Sequence, residues 1–258
     1  PQYGRYREFW QANYELMGSD RPEADAEILT LSYDLMERLG LRNYHFKIGH
    51  VGILRGILSQ EGVKEEDQNR IMQLIDKKLW GEALTVAEGL KVSQECSATL
   101  EQLFETKGKD APQVLEKAKG MVQGYGDAVA SVENLQKILE LTKVGGANFD
   151  MWVEMGFARG LEYYTGMIFE LYVPEMEIAL GGGGRYDKLI ELFGGEATSA
   201  VGVAPGIDRL MLALEGQKVP IGAKEEKRVV VIPVSEDLTA KALEVSLALR
   251  RSGVSAEV

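Results

Sequence analysis

Three short segments carry more oriented polar and glycine residues than a core requires. The first is Gly4-Arg5-Tyr6-Arg7-Glu8-Phe9-Trp10-Gln11-Ala12-Asn13-Tyr14-Glu15. As a strand it puts Arg5, Arg7, Phe9, Gln11, Asn13 and Glu15 on one face, because side chains alternate with a period of two. Two cations at one end, with an amide and a carboxylate at the other, suit a small ligand bearing both an anion and a cation. A solvated sheet edge would carry the same pattern. The second segment is Phe157-Ala158-Arg159-Gly160-Leu161-Glu162-Tyr163-Tyr164-Thr165-Gly166. There an arginine beside a glycine can present a fixed charge to phosphate, or it can pair with a neighbouring acid while the tyrosines pack. The third is Leu180-Gly181-Gly182-Gly183-Gly184-Arg185-Tyr186-Asp187, followed by Gly202-Val203-Ala204-Pro205-Gly206-Ile207-Asp208-Arg209. Glycine lets a backbone approach a ligand or bulge from a sheet, and equally makes a turn. Arg209 falls on the first turn of a helix after a buried strand, where it can meet a nucleotide. Neither a Walker loop nor the dinucleotide fingerprint is present.

The elements that must hold these residues are legible in outline. Residues 1–18 alternate aromatic and polar side chains and read as strand. Ser19-Asp20-Arg21-Pro22 opens a helix, with a capping acid, a proline near the first turn and acids at the positive end of the dipole. Ile28, Leu31, Leu35 and Leu39 continue it at helical spacing and Gly40 closes it. Tyr44, Phe46 and Ile48 alternate as a strand that Gly49 breaks. From about Ser59 to Gly146 apolar residues such as Ile71, Leu74, Ile75, Leu100, Leu103, Val132 and Leu135 recur at helical intervals, a helical module whose apolar faces close on one another and which stands off the sheet. Strand and glycine return at 149–215: Met167–Val173 is a β-forming run, and a short strand at 200–204 precedes a helix at 206–215. Segments 1–18, 41–48, 149–181 and 200–204 are expected to form one antiparallel sheet backed by helices 22–39 and 206–215. A charged linker, 224–227, leads to a buried strand at Val229–Val234 and a helix capped by Ser235, the opening of a βαβ unit.

Composition removes several classes of function. The chain has 258 residues, 45% of them apolar, which excludes a disordered protein, and no apolar run is long enough for a membrane helix. One cysteine, Cys96, excludes a disulfide framework or a cysteine-rich zinc site and fits a reducing compartment. His45 and His50 are the only histidines, so no His-based metal site is expected. The formal charge of −11 opposes non-specific binding to nucleic acid, so a nucleic-acid partner needs a local basic surface. The sequence opens at Pro1 without a basic, apolar leader and stops at Val258 inside an alternating strand. Both ends read as cut, and a longer parent protein is expected.

Taken together, the segments resemble the histidyl-tRNA synthetases, a family of class II aminoacyl-tRNA synthetases. Gly4–Glu15 resembles the second half of class II motif 2. Arg159-Gly-Leu-Glu-Tyr-Tyr and Gly183-Gly-Arg-Tyr-Asp are similar to the two histidine signatures of the family, and Gly202–Arg209 is similar to motif 3, with Asp208 where the family more often has Glu. The resemblance implies an α+β fold: a class II antiparallel core flanked by helices at 1–58 and 149–222, a helical insertion at 59–148, and the start of an α/β anticodon-binding domain at 225–258. It implies that Gln11, Glu15, Arg159, Tyr163, Tyr164 and Tyr186 bind histidine, that Arg5 and Arg209 bind the ATP triphosphate, and that Arg159 is catalytic at the α-phosphate. No metal-ligating residue is assigned, although magnesium is expected on the phosphates.

The implied protein is a cytoplasmic histidine–tRNA ligase, a homodimer at full length, with histidine, ATP and histidine tRNA as partners and no membrane association. Motif 1 and the motif 2 arginine would lie before Pro1, so residues 1–258 alone are expected to be inactive. Two alternatives remain: a synthetase-like regulatory subunit of ATP phosphoribosyltransferase in histidine biosynthesis, and a non-catalytic tRNA-sensing module. The former usually lacks the reactive-centre arginine and the anticodon domain, and here Arg159 and the C-terminal strand and helix stand against it.

Overall fold

The computed structural model describes Gly4 and residues 6–160, 162–221 and 228–258. The chain divides into two units, Pro1–Val219 and Pro220–Val258. In chain order the first holds β1 (Tyr14–Met17), α1 (Pro22–Leu39), β2 (His45–His50), α2 (Val51–Gln60), α3 (Glu65–Asp76), α4 (Trp80–Gly89), α5 (Gln94–Glu105), β3 (Lys107–Gly108), α6 (Ala111–Met121), α7 (Gly126–Val144), β4 (Asp150–Glu154), β5 (Met167–Tyr172), β6 (Gly181–Arg185), α8 (Leu189–Leu192), β7 (Ala200–Pro205) and α9 (Ile207–Gly216). The second holds β8 (Val229–Val230), α10 (Thr239–Arg251) and β9 (Ala256–Glu257).

The larger unit is an α+β structure built on a seven-stranded sheet in the order β1-β7-β6-β5-β2-β4-β3. Every pairing is antiparallel except β2 with β4. That exception has a topological cause. Parallel neighbours need a long crossover, and helices α2 to α7 fill the chain between these two strands.

Helix α1 follows its sequence signals closely: Pro22 sits in the first turn, Glu23 and Asp25 lie at the positive end, and Gly40 closes the helix in the left-handed region at φ 76°. Its N-cap, however, is Arg21, which makes no side-chain cap bond, so no capping acid is used. Among the described residues up to 18, only Tyr14–Met17 is strand, with one isolated bridge from Gln11 to Gly206. Upstream, the start of α9 takes over the pairing: the Ile207 amide donates to the Trp10 carbonyl at 2.8 Å and the Trp10 amide to Asp208 Oδ2 at 2.9 Å. Gly49 does not break β2. A side chain there would lie 2.8 Å from the Glu154 carbonyl and 3.1 Å from Phe157, so the glycine permits a close approach within a strand that runs on to His50.

The helical stretch does not stand off the sheet. Ile71, Leu100, Leu103, Val132, Leu135 and Ile138 share one apolar core with Phe46, Ile48 and Phe169 of the sheet. Helix α7 lies along both α1 and α2. The α2–α7 approach is close because Gly52 and Gly56 sit one turn apart: a Cβ on Gly56 would meet the Ala128 amide nitrogen at 2.7 Å.

In the smaller unit β8 and β9 pair in parallel with α10 between them, the βαβ order read from the sequence. The strand is shorter and more exposed than its apolar run suggests. Only Val229 and Val230 are strand, and Ile232 and Val234 are exposed. Among the described residues β8 pairs with the two-residue β9 alone. Ser235 precedes a 3₁₀ turn, Glu236–Leu238, and makes no side-chain cap bond. The charged segment 224–227 lies outside the described residues.

His50 ends β2 as the N-cap of α2. Its Nδ1 accepts the Gly52 amide at 3.1 Å, so its Nε2–H donates to Asn134 Oδ1 on α7 at 3.2 Å. Burial pushes its pKa down to about 4, against the Asn134 hydrogen bond, which raises it. The unfolded chain, with a histidine near pH 6.5, therefore binds the proton more readily than the folded one. Stability from this group is complete above about pH 6.5 and is lost as the pH falls towards 4, amounting to about 3 kcal/mol over that window. Denaturant unfolding of the protein and of His50→Asn at pH 7, 6, 5 and 4.5 measures it. The variant should show a shallower loss of stability with acid; parallel curves would contradict this account.

Candidate functional site

Strand β6 is four buried glycines and an arginine. Glycine at these positions is a steric requirement of the site rather than of a turn. Gly182 lies between Glu170 of β5 and Ala204 of β7 in register, and the Arg159 guanidinium occupies the space a Cβ would need. Gly202 of β7 pairs with Glu15 of β1, and the Glu15 carboxylate lies where its Cβ would be. Removing two side chains from the sheet surface thus opens a cleft of about 440 Å³, within the range typical of small-molecule sites. Its floor is Gly181–Gly183 and Gly202–Ala204.

Gln11, Asn13 and Glu15 form one wall. The two-residue period holds for these three, carried by β1 and the isolated bridge at Gln11. Phe9 lies with Gly4, Tyr6, Gln11 and Arg209 around an adjoining depression of about 290 Å³. Arg7 is exposed and lines neither hollow. Arg5 lies outside the described residues, as does Leu161 of the second segment.

The opposite wall is aromatic. The Tyr163 and Tyr164 rings lie 4.7 Å apart, and Tyr186 meets Tyr163 edge-on at 5.9 Å. The Tyr186 hydroxyl donates to Glu15 Oε2, tying this wall to β1. Burial, and then the hydrogen bond to Glu15, hold the Tyr186 phenol well above its ordinary pKa, so it stays protonated and keeps donating. Burial likewise raises Tyr164, although the charge of Arg159 opposes it.

Arg159 enters from the loop between β4 and β5. One Nη1 donates to the Phe169 carbonyl at 3.1 Å and stands 3.8 Å from Glu170 Oε1, and the guanidinium lies 5.6 Å from the Tyr164 ring centre. Arg159 is thus ion-paired and also lines the cleft. The planar fork has more donors than Glu170 and Phe169 use, which leaves it able to hold an anion. At the far end, Arg209 on the first turn of α9 donates from Nε to the Gly4 carbonyl at 3.1 Å and from Nη1 to the Ala179 carbonyl at 2.7 Å. It borders both hollows.

Two residues without an assignment from sequence matter here. Glu170 shares the cleft and also accepts the Tyr172 hydroxyl at 2.7 Å. Its signal was a lone acid within the apolar run Met167–Val173. Arg185, in the stretch that supplies Tyr186, turns inward instead. It donates to Asp25 of α1 at 2.6 Å and to Asp187 at 2.9 Å, and to the Ser19 carbonyl at 2.9 Å. Burial opposes its charge, but the hydrogen bonds and charges of these acids outweigh that and raise its pKa. Asp187 in turn accepts the Ala200 amide at 3.1 Å, locking the end of β6 to β7. Strand alternation therefore sends Arg185 into the core and Tyr186 into the cleft. Among the described residues no group of three or more His, Cys, Asp or Glu side chains could hold a metal ion, and no helix is long and apolar enough to cross a membrane.

A Gly202→Ala substitution puts a methyl group where the Glu15 carboxylate lies. We expect the crystal structure of this variant to show the carboxylate swung out of the cleft and its bond with Tyr186 broken; an undisturbed Glu15–Tyr186 contact would contradict the steric account.

The family model described as histidyl-tRNA synthetase matches residues 1–210. A histidine–tRNA ligase of Methanocaldococcus jannaschii is 37% identical over 260 residues, covering 100% of this chain and 59% of that protein. One from Saccharolobus solfataricus is 36% identical, covering 97% of this chain and 58% of its own length. The chain thus spans about 60% of the length of the curated relatives it matches. Among solved structures, a histidyl-tRNA synthetase from Nostoc sp. PCC 7120 superposes with a TM-score of 0.76 at 22% identity over 98% of this chain and 62% of its own. A Bacillus halodurans protein described as an ATP phosphoribosyltransferase regulatory subunit/histidyl-tRNA synthetase gives 0.74 at 25% identity, over 96% and 62%.

Proposed function

The chain belongs to the histidyl-tRNA synthetase family, and from that premise we propose that its cleft binds histidine and ATP and forms histidyl-adenylate, which then passes to the 3′ end of histidine tRNA. The observation that carries this reading is the pairing of opposite ends within one cleft: a carboxylate over Gly202, backed by Tyr186, and a guanidinium over Gly182. An amino acid with a cationic ammonium and an anionic carboxylate matches that polarity.

In the first step the histidine carboxylate attacks the α-phosphate, pyrophosphate leaves with the electron pair of the broken P–O bond, and a mixed anhydride remains. The obstacle is charge, because a carboxylate must approach a polyanion. Cations held in place before reaction lower that barrier without reorganisation. Arg159 takes the α-phosphate in this proposal and Arg209 the distal phosphates, with Arg5 a further candidate by resemblance. Magnesium arrives on ATP as part of the substrate. Glu15 accepts from the histidine ammonium or imidazole N–H; Gln11, Tyr163, Tyr164 and Tyr186 complete the amino-acid pocket. A pocket of buried hydrogen-bonding groups rejects analogues that lack the matching N–H. In the second step a ribose hydroxyl of the tRNA attacks the activated carbonyl and releases AMP. The unit at Pro220–Val258 is proposed as the start of the anticodon-binding domain, and the working protein as a cytoplasmic homodimer.

Two substitutions in the full-length protein separate the ends of the cleft. Glu15→Gln should weaken histidine binding by about 1.5–3 kcal/mol, the scale of a hydrogen bond to a charged group, and change ATP binding far less. Calorimetric titration with each ligand decides this, and equal losses would make Glu15 structural. Arg159→Ala should slow adenylation by at least about a hundredfold while histidine affinity falls much less, because the interaction strengthens as charge grows in the transition state. Single-turnover adenylation and histidine-dependent ATP–pyrophosphate exchange read it out. A lowered melting temperature with intact adenylation would make Arg159 an ion-pair residue only.

A further inference from the structure

The loop that carries Arg159 is held from the helical stretch as well as from the sheet. Asp76, the last residue of α3, sets its carboxylate against Gly160. The contact is close: a Cβ on Gly160 would lie 2.7 Å from Asp76 Oδ2. Two residues further on, Glu162 is gripped by the same helix, accepting Gln73 Nε2 at 2.7 Å and Asn69 Nδ2 at 3.4 Å. Arg55 of α2 adds a bond to the Glu162 carbonyl at 3.3 Å and one to Asn69 Oδ1 at 2.8 Å. None of these four helical residues lines the 440 Å³ cleft, so they reach it through the loop alone.

We propose that Asp76 is a positioning residue for Arg159: by packing its carboxylate against Gly160 it sets the loop from which the guanidinium reaches over Gly182, and so makes the helical stretch part of the adenylation machinery. The inference rests on the reading of Arg159 as the α-phosphate cation. Burial, and after it the charge of Glu170, raises the Asp76 pKa, while Arg159 and Lys47 favour its carboxylate. Arg159 thus stands among acids from two sources, Glu170 on the sheet and Asp76 at the end of α3. A guanidinium displaced by about 1 Å loses much of its value at a reacting centre, on the order of a hundredfold in rate.

A double-mutant cycle tests this. In the full-length protein, Asp76→Ala should lower the single-turnover rate of histidine-dependent adenylation by about tenfold or more, with histidine KM changed less than about twofold. In an Arg159→Ala background the same substitution should change the rate less than about twofold, because the residue it acts through is gone. Equal losses in both backgrounds, or no loss in either, overturn the proposal. Asp76→Asn, nearly the same shape, runs the same cycle if the alanine variant fails to fold. A second readout needs no activity. The Nε–Hε NMR resonance of Arg159, assigned by its disappearance in Arg159→Ala, should move in Asp76→Asn and stay in place in the exposed control Glu101→Gln; an unmoved resonance in Asp76→Asn overturns the positioning role. If the full-length protein shows no histidine-dependent exchange, the proposed reaction fails, while the resonance still decides whether Asp76 positions Arg159.

Discussion

Two missing Cβ atoms, at Gly182 and Gly202, are the constraint on which the cleft depends. Both residues lie in the middle of buried strands, where glycine costs conformational entropy and packs nothing. Both positions are filled by a charged group from elsewhere in the chain, Arg159 in one case and Glu15 in the other. Any side chain at either position would expel the charge that gives the cleft its polarity. The sheet therefore gives up packing at the point where the site needs room, and recovers rigidity around it. Arg185, Asp25 and Asp187 supply that rigidity just beyond the glycine run, in a buried network that fixes α1, β6 and β7 together.

The arginines of the cleft region differ in use, and the difference follows from burial. Arg185 is buried, with its charge answered by two carboxylates and two backbone carbonyls, so it holds structure. Breaking such a pair by removing one partner costs about 3–5 kcal/mol, because the other charge stays buried. Arg159 meets one acid at 3.8 Å and one carbonyl and lines the cleft. In a chain of net charge −11, a cation held beside open space is what the proposed phosphate contact requires.

Periodicity made much of this legible. Helix α1 was readable to within a residue because a proline, first-turn acids and a terminal glycine all agree. Gln11, Asn13 and Glu15 were readable as one face because a strand alternates strictly. The tetraglycine run was not readable as a strand from propensity, since only its register against β5 and β7 shows that the glycines are there for what lies over them. Gly49 misled for the same reason. The stand-off of residues 59–146 failed because helical spacing reports that a face is apolar and is silent on what covers it; α7 covers α1 and α2. Glu170 left one local signal, a lone acid within an apolar strand, whereas Asp76 left none, because it meets Gly160 only in the folded chain and no local pattern encodes such a meeting.

The central claim is that one glycine-floored cleft holds the amino acid at Glu15 and the reacting phosphate at Arg159. The most direct measurement is a crystal structure of the protein with a non-hydrolysable sulfamoyl analogue of histidyl-adenylate. The account predicts the histidine portion between Glu15, Tyr164 and Tyr186, and the sulfamoyl group over Gly182 within hydrogen-bond reach of Arg159, about 2.7–3.2 Å. An analogue bound outside this cleft, or one seated in it while Arg159 remains turned to Glu170 with no contact to the sulfamoyl group, would contradict it.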